Sequence, residues 1–212
     1  MGWIDRQIAE GNSLPLVKFP EHIQTDTGRY HVTPYGNVPG VTTILWETKV
    51  YRFKVDPRYL DRGNILHQDI ENHFGCFIED RESPLWSQLE AFVGEITPLM
   101  IEYPLSSLTG VAGSPDCLGK HSKHGIVLAD WKSSTKNKSR NSCHDYLIQL
   151  AAYDHLIQEN MGIACDRAVV ALARESHDDA RYHWIEREEL DSLYLEFLQR
   201  LEQYRNLYSV SF

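Results

Sequence analysis

Asp116 closes the run Gly113-Ser114-Pro115-Asp116, Asp130-Trp131-Lys132 follows, and Gln149 and Tyr153 come after. This order of residue types suits cleavage of a phosphodiester. Two carboxylates can hold a divalent cation through oxygen ligands, and a lysine beside them can position a nucleophile or stabilise charge developing on a scissile phosphate. Upstream, Gly63, His67 and Glu71 recur at four-residue spacing. On a helix His67 and Glu71 stack one above the other and can converge on the same point.

These side chains need particular elements to bring them together. Thr109 to Leu118 and Gly125 to Lys132 read as two strands around the turn-rich Gly119-Lys120-His121-Ser122-Lys123-His124. A turn centred near Lys123 places Asp116 almost opposite Asp130. Opposed residues have Cβ atoms roughly 4.5–5.5 Å apart, so two carboxylates there repel at pH 7 unless a cation lies between them. Asp130 and Lys132 share one face of their strand. Val127, Ala129 and Trp131 form the other, with Trp131 packing under a helix. Ile101 to Leu105 reads as a short strand carrying Glu102.

The helices follow from apolar periodicity. Leu66, Ile70 and Phe74 define one over Leu60 to Phe74, ended by Gly75, and Trp86, Leu89, Phe92, Val93 and Ile96 define another over Leu85 to Pro98. Ser142, with Asp145 three residues on, is expected to cap a third helix that runs to about Gln158 and carries Gln149 and Tyr153 on one face. Strands are expected over Arg167 to Ala173 and Arg181 to Ile185. A closing structural helix, Glu186 to Tyr208, bears Leu190, Leu193, Leu195, Leu198 and Leu201. Near the start, Thr27 to Val32 and Pro34 to Asn37 suggest short strands around turns. In Pro39-Gly40-Val41-Thr42-Thr43-Ile44-Leu45, Thr42 or Thr43 is expected to cap a helix whose free N–H groups suit a phosphate. Each feature also has a plain structural reading: an ordinary capped helix, a structural histidine, a solvent-facing Gln and Tyr pair.

At 212 residues with 42% hydrophobic content the chain fits one folded unit and is not disordered. No apolar run reaches the roughly 18 residues of a membrane span. The start carries neither a secretory apolar region nor an Arg-rich transit pattern, so a cytoplasmic setting is expected. Cys76, Cys117, Cys143 and Cys165 form no CxxC pair, which argues for buried free thiols over a zinc ribbon or an iron–sulfur cluster. The net charge of -9 excludes a generally basic coat. Lys132, Lys136, Lys138 and Arg140 nevertheless cluster without an acidic neighbour, leaving -9 minus +4, or -13, on the remainder. A solvated loop explains such a run; so does tracking of a phosphate backbone.

Glu102, Gly113-Ser114-Pro115-Asp116, Asp130-Trp131-Lys132-Ser133-Ser134 and Gln149-Leu150-Ala151-Ala152-Tyr153 together resemble the PD-(D/E)XK nuclease superfamily in its RecB-like branch. Gly63 to His67 is similar to that branch's upstream glycine-to-histidine motif. Pro39 to Leu45 is similar to the entry segment of exonucleases of the mitochondrial genome maintenance type and their phage and bacterial relatives. The resemblance spans Tyr30 to Tyr204. It departs at Gly40, where a serine is common, and in lacking the cysteine cluster of iron–sulfur members.

The resemblance implies an α/β fold with a restriction-endonuclease-like core, a mixed β-sheet flanked by helices. It implies a single nuclease domain over 1–212, with 1–45 as an N-terminal entry segment. Asp116 and Asp130 would ligate Mg²⁺ or Mn²⁺, joined by the backbone carbonyl of Trp131, by His67 as a nitrogen ligand favouring Mn²⁺, and by Glu102 at a second metal or behind the first. Lys132 would orient or help deprotonate water, and Gln149 and Tyr153 would steady the lysine or the substrate. Thr42, Thr43, Lys136, Lys138 and Arg140 would hold phosphates, with Tyr146 stacking a base. The implied activity is a metal-dependent DNA exonuclease working from single-stranded ends, in a bacterial or phage-infected cell, with a recombination or replication protein as a further partner. The alternatives are a structure-selective endonuclease and a non-catalytic DNA-binding repair partner.

Overall fold

The computed structural model describes residues 22–25, 28–33, 36–51, 57–75 and 81–208. In order, the elements are β1 (His22–Thr25), β2 (Gly28–Thr33), β3 (Gly36–Pro39), α1 (Val41–Glu47), α2 (Pro57–Phe74), α3 (Trp86–Val93), β4 (Ile96–Ile101) and β5 (Leu105–Ser107). They continue with β6 (Val111–Gly113), β7 (Cys117–His121), β8 (Gly125–Ser134), α4 (His144–Met161), β9 (Arg167–Arg174), β10 (Arg181–Glu186) and α5 (Arg187–Tyr208). Cys76 and the turn residues Asp26, Thr27, Pro34 and Tyr35 lie outside the described residues, as do 1–21 of the entry segment.

Strands β10-β9-β8-β7-β4 form a mixed sheet in that order, with β8 and β9 parallel and the other neighbours antiparallel. The near-continuous apolar stretches of β8 and β9 reflect burial on both faces, as central strands require. Side-chain alternation then sorts the core. Leu128, Ala168 and Val170 pack with Leu147, Leu150, Leu156, Phe197 and Leu201 of α4 and α5. Val127, Ala129 and Trp131 pack on the opposite face with Leu66, Ile70, Trp86 and Leu89 of α2 and α3. This is the mixed α/β sheet flanked by helices that was expected. No helix among the described residues is long and apolar enough to cross a membrane.

Several boundaries differ from the sequence expectation. The helix expected through Pro98 stops at Val93, and Ile96–Ile101 becomes an edge strand against β7. An edge accommodates Pro98, which has no N–H to give, and the ladder shifts register between Pro98 and Met100. The strand expected over Ile101 to Leu105 is interrupted at Glu102, whose φ is 45°. That expected over Thr109 to Leu118 divides into β6 and β7 around Ser114-Pro115.

Neither Thr42 nor Thr43 caps α1. Gly40 is the N-cap, extended and without a side-chain cap, because the helix starts at Val41. Ser142 does not cap α4 either: a 3-10 turn, Asn141–Cys143, runs into it, and Ser142 Oγ lies 2.9 Å from Ser139 Oγ instead. In α5, Leu195 and Leu198 are 62% and 36% exposed. The inward stripe is Leu190, Leu193, Phe197, Leu201 and Tyr204, at spacings of three and four. Cys117, Cys143 and Cys165 are buried free thiols, and burial pushes all three thiol pKa values up.

Candidate active site

The hairpin β7–β8 pairs Cys117 with Ala129, Leu118 with Leu128 and His121 with Gly125, so its turn centres on Lys123. Continuing the register by one pair sets Asp116 opposite Asp130. A short local turn is sufficient to specify this, since each residue added on one side is matched on the other. Both carboxylates are buried, Asp116 at 8% exposure and Asp130 at 0%.

Asp130 is gripped from two elements. Lys132 Nζ donates to its Oδ1 at 2.7 Å, and Gln149 Nε2, from α4, donates to the same oxygen at 2.9 Å. Its Oδ2 is buried with no hydrogen-bond partner. A buried carboxylate oxygen is costly to leave unpaired, and a bound cation would satisfy it. Asp116 Oδ2 accepts from the Trp131 N–H at 2.8 Å.

Beside Asp116 lie His67 and Glu102, and one ligand atom from each of the three falls within 4.8 Å of the others. His67 Nε2 is 3.7 Å from Asp116 Oδ2, and Nδ1 is 3.6 Å from Glu102 Oε1. Nε2 also donates to the Trp131 carbonyl at 2.8 Å, since a carbonyl oxygen only accepts. With that proton in place Nε2 offers no lone pair. His67 and the Trp131 carbonyl, both expected as ligands, thus hold each other. Glu102 keeps its left-handed backbone, a conformation that costs a non-glycine residue about 1 kcal/mol or more, while its N–H donates to the Asp116 carbonyl at 3.1 Å.

The electrostatics follow from burial and crowding. Burial pushes the Asp130 carboxyl up to about 6, against the downward pull of Lys132, and the charge of Asp116 adds to the rise. Asp116 is also raised by burial, with His67 and Lys132 opposing. Burial pulls Lys132 down, but Asp130 and Asp116 outweigh it and hold the ammonium above its ordinary range. His67 is lowered by burial and raised more by Asp116 and Glu102, reaching about 9. At neutral pH two cations balance a crowded acidic cluster. Tyr153, raised by burial and by the carboxylates, stays a neutral phenol. It is seated on Gly113, where an added Cβ would lie 2.5 Å from Tyr153 Cε1.

Above this cluster opens a cleft of about 870 Å³ at the carboxyl end of β8, between α2 on one face of the sheet and α4 on the other. Gly63, His67 and Glu71 all line it, so the stripe read from sequence does converge on one place. Lys132, Lys138 and Tyr146 line it as well. Both ammonium groups lie over the Tyr146 ring, at 5.4 and 5.1 Å from its centroid, and Lys138 Nζ donates to the Tyr146 hydroxyl at 3.2 Å.

Other expected DNA contacts lie elsewhere. Lys136 is exposed on the loop and Thr42 on α1, whereas Thr43 is buried. Arg140 is turned back onto the protein, giving Nη2 to Glu189 Oε1 and Oε2 at 2.5 and 2.6 Å and Nη1 to the Trp184 carbonyl at 2.5 Å. Sequence reasoning missed Tyr59 and Arg62, which form part of the cleft wall. The signal was present: Tyr59 lies seven residues before Leu66 and continues its inward stripe.

No family model matches the sequence, and no curated protein matches it significantly. Among solved structures, the chain is similar to a candidate exonuclease from Eubacterium rectale, at 13% identity and TM-score 0.45 over 73% of this chain and 68% of that one. It is similar to the protein SSO0001 at 12% identity and TM-score 0.42, over 92% and 83% of the two chains. An alkaline exonuclease from Laribacter hongkongensis gives 12% identity and TM-score 0.32, over 80% and 91%. Likenesses this distant lend nothing to the chemistry of the site.

Proposed function

We propose that this chain is a divalent-metal-dependent deoxyribonuclease of the RecB-like branch, an exonuclease that hydrolyses phosphodiester bonds from single-stranded DNA ends. The observation that carries this reading is the unpartnered, fully buried Oδ2 of Asp130, set beside Asp116 and Lys132. An oxygen-rich donor set suits Mg²⁺ or Mn²⁺.

Asp116 and Asp130 would hold the ion, with Glu102 and His67 next to Asp116. When bound there, such an ion polarises phosphate oxygens and lowers the pKa of its water. The chain's own groups supply the rest. Gln149 fixes the Asp130 carboxylate so that Oδ2 is the atom left to bind. Lys132, held as an ammonium by Asp130 and Asp116, orients the attacking water and stabilises negative charge on the phosphate. Lys138 and Tyr146 flank the strand that the cleft receives.

Linear single strands labelled at either end, with a covalently closed circle as control, test this in Mg²⁺ and in Mn²⁺. Loss of label from linear strands that stops in EDTA and in Lys132→Ala is expected. Cutting of the circle would make the enzyme an endonuclease. Degradation that persists in Lys132→Ala would remove the assignment.

A further inference from the structure

We infer that Tyr59, on the first turn of α2, is a stacking platform for an unpaired nucleobase, which makes the cleft a groove for single-stranded nucleic acid. This rests on the deoxyribonuclease reading of the cluster beneath it.

The observation is an aromatic on the inward-facing stripe of its helix that is only half covered among the described residues. Tyr59 precedes Leu66 by seven residues and Ile70 by eleven, which puts all three on one face of the helix. Leu66 and Ile70 are 0% and 1% exposed, yet Tyr59 is 46% exposed. At this end of the helix Tyr59 lines the same cleft as Ser133, Ser134 and Thr135 at the end of β8. The Arg62 guanidinium lies 5.1 Å from the Tyr59 ring centroid and is itself fastened by an ion pair to Glu175. That arrangement holds the ring and backs one of its faces with a cation, so a base would stack on the other face.

Across the floor, Tyr146 is flanked by the ammonium groups of Lys132 and Lys138. Two aromatic rings, each with a cation, thus border a floor that holds Glu102, Trp131 and Lys132. Rings and cations in this relation suit a strand whose bases are splayed and whose phosphates are tracked, and stacking on them is tolerant of base identity. The cleft's roughly 870 Å³ lies in the range of small-ligand pockets, on the order of 300–1,000 Å³, so it receives a few nucleotides. A duplex keeps its base faces stacked inside along its length and exposes only the outer faces of its two terminal pairs.

Fluorescence anisotropy in EDTA, where cleavage is stopped, tests this with a single-stranded oligonucleotide, an abasic strand of equal length and a blunt duplex. Tyr59→Ala is expected to weaken binding of the base-bearing strand roughly 5- to 150-fold, the worth of one stacked base. Tyr59→Phe retains the affinity, because the ring remains. Binding of the abasic strand and the duplex is unchanged by either substitution. An equal loss on the abasic strand or the duplex, no loss on the base-bearing strand, or no strand binding by the wild type would overturn the proposal. Binding through Tyr59 without cleavage in Mg²⁺ or Mn²⁺ would sink the nuclease reading alone; cleavage with strand affinity unaffected by Tyr59→Ala would sink this one alone.

Discussion

Replacing Asp130 by Asn tests the cluster's electrostatics through stability as well as activity. The amide has the shape of a protonated carboxyl and can still accept from Lys132 and Gln149, so the substitution fixes the neutral form. In the folded chain the Asp130 carboxyl is pushed from its ordinary 3.8 up to about 6, and at about 1.4 kcal/mol for each tenfold in ionisation this penalises the charged form by about 3 kcal/mol. Because the folded state holds its proton more tightly than the unfolded one, the contribution to stability is fully present below pH 3.8 and is lost as pH rises through about 6. Urea denaturation in EDTA at pH 8 should therefore find Asp130→Asn more stable than the wild type, with a midpoint raised by roughly 1–3 M. The difference should shrink towards pH 4. Adding Mg²⁺ or Mn²⁺ should reverse the order: an ion at 1,000 times its Kd stabilises the wild type by about 4.1 kcal/mol, more than the penalty of about 3 kcal/mol, and the variant far less. Cleavage should be lost in the variant throughout. Equal stability of the two proteins at pH 8 in EDTA, or equal stabilisation of both by the ion, would refute the reasoning.

Three further outcomes are expected. Gly113→Ala drives a Cβ into the buried Tyr153 ring and should cost roughly 1–3 kcal/mol in chemical denaturation, with lowered cleavage because Tyr153 is displaced. Gly63→Ala should raise thermal stability by roughly 0.5–1 kcal/mol and leave cleavage near wild type, since a helix-interior glycine gains from a Cβ and the added atom would sit 3.7 Å from Ser133 Oγ, an ordinary contact. Arg140→Ala and Glu189→Ala should weaken single-strand binding alike, by releasing the lysine loop, while the double charge reversal restores it; tighter binding in Glu189→Ala would show instead that Arg140 contacts phosphate.

What could be read from the sequence was what short-range geometry specifies. The facing of Asp116 and Asp130 comes from one tight turn, and the burial of Val127, Ala129 and Trp131 from alternation along a single strand. The stripe Gly63, His67 and Glu71 comes from helical period. Boundaries were less legible where a local pattern was ambiguous. Ile96 fits the helical stripe of Trp86 to Val93 equally well, and only pairing with His121 makes it a strand. Ser142 resembles a cap, but the preceding turn is already wound in 3-10 form.

Residue types and local spacing by themselves determined the candidate chemistry: two carboxylates brought face to face, a lysine on the same side of the strand, and a histidine and a glutamine on two separate helices. Only the tertiary structure decided what each group does with its partners. The proton of His67 is spent on a carbonyl 64 residues away, Arg140 is neutralised by a glutamate 49 residues on, and Tyr59 is left half exposed at the cleft. The physical reason is range. Turn geometry and side-chain period act over a few residues, whereas desolvation, charge pairing and exposure depend on which distant segments fill the surrounding space.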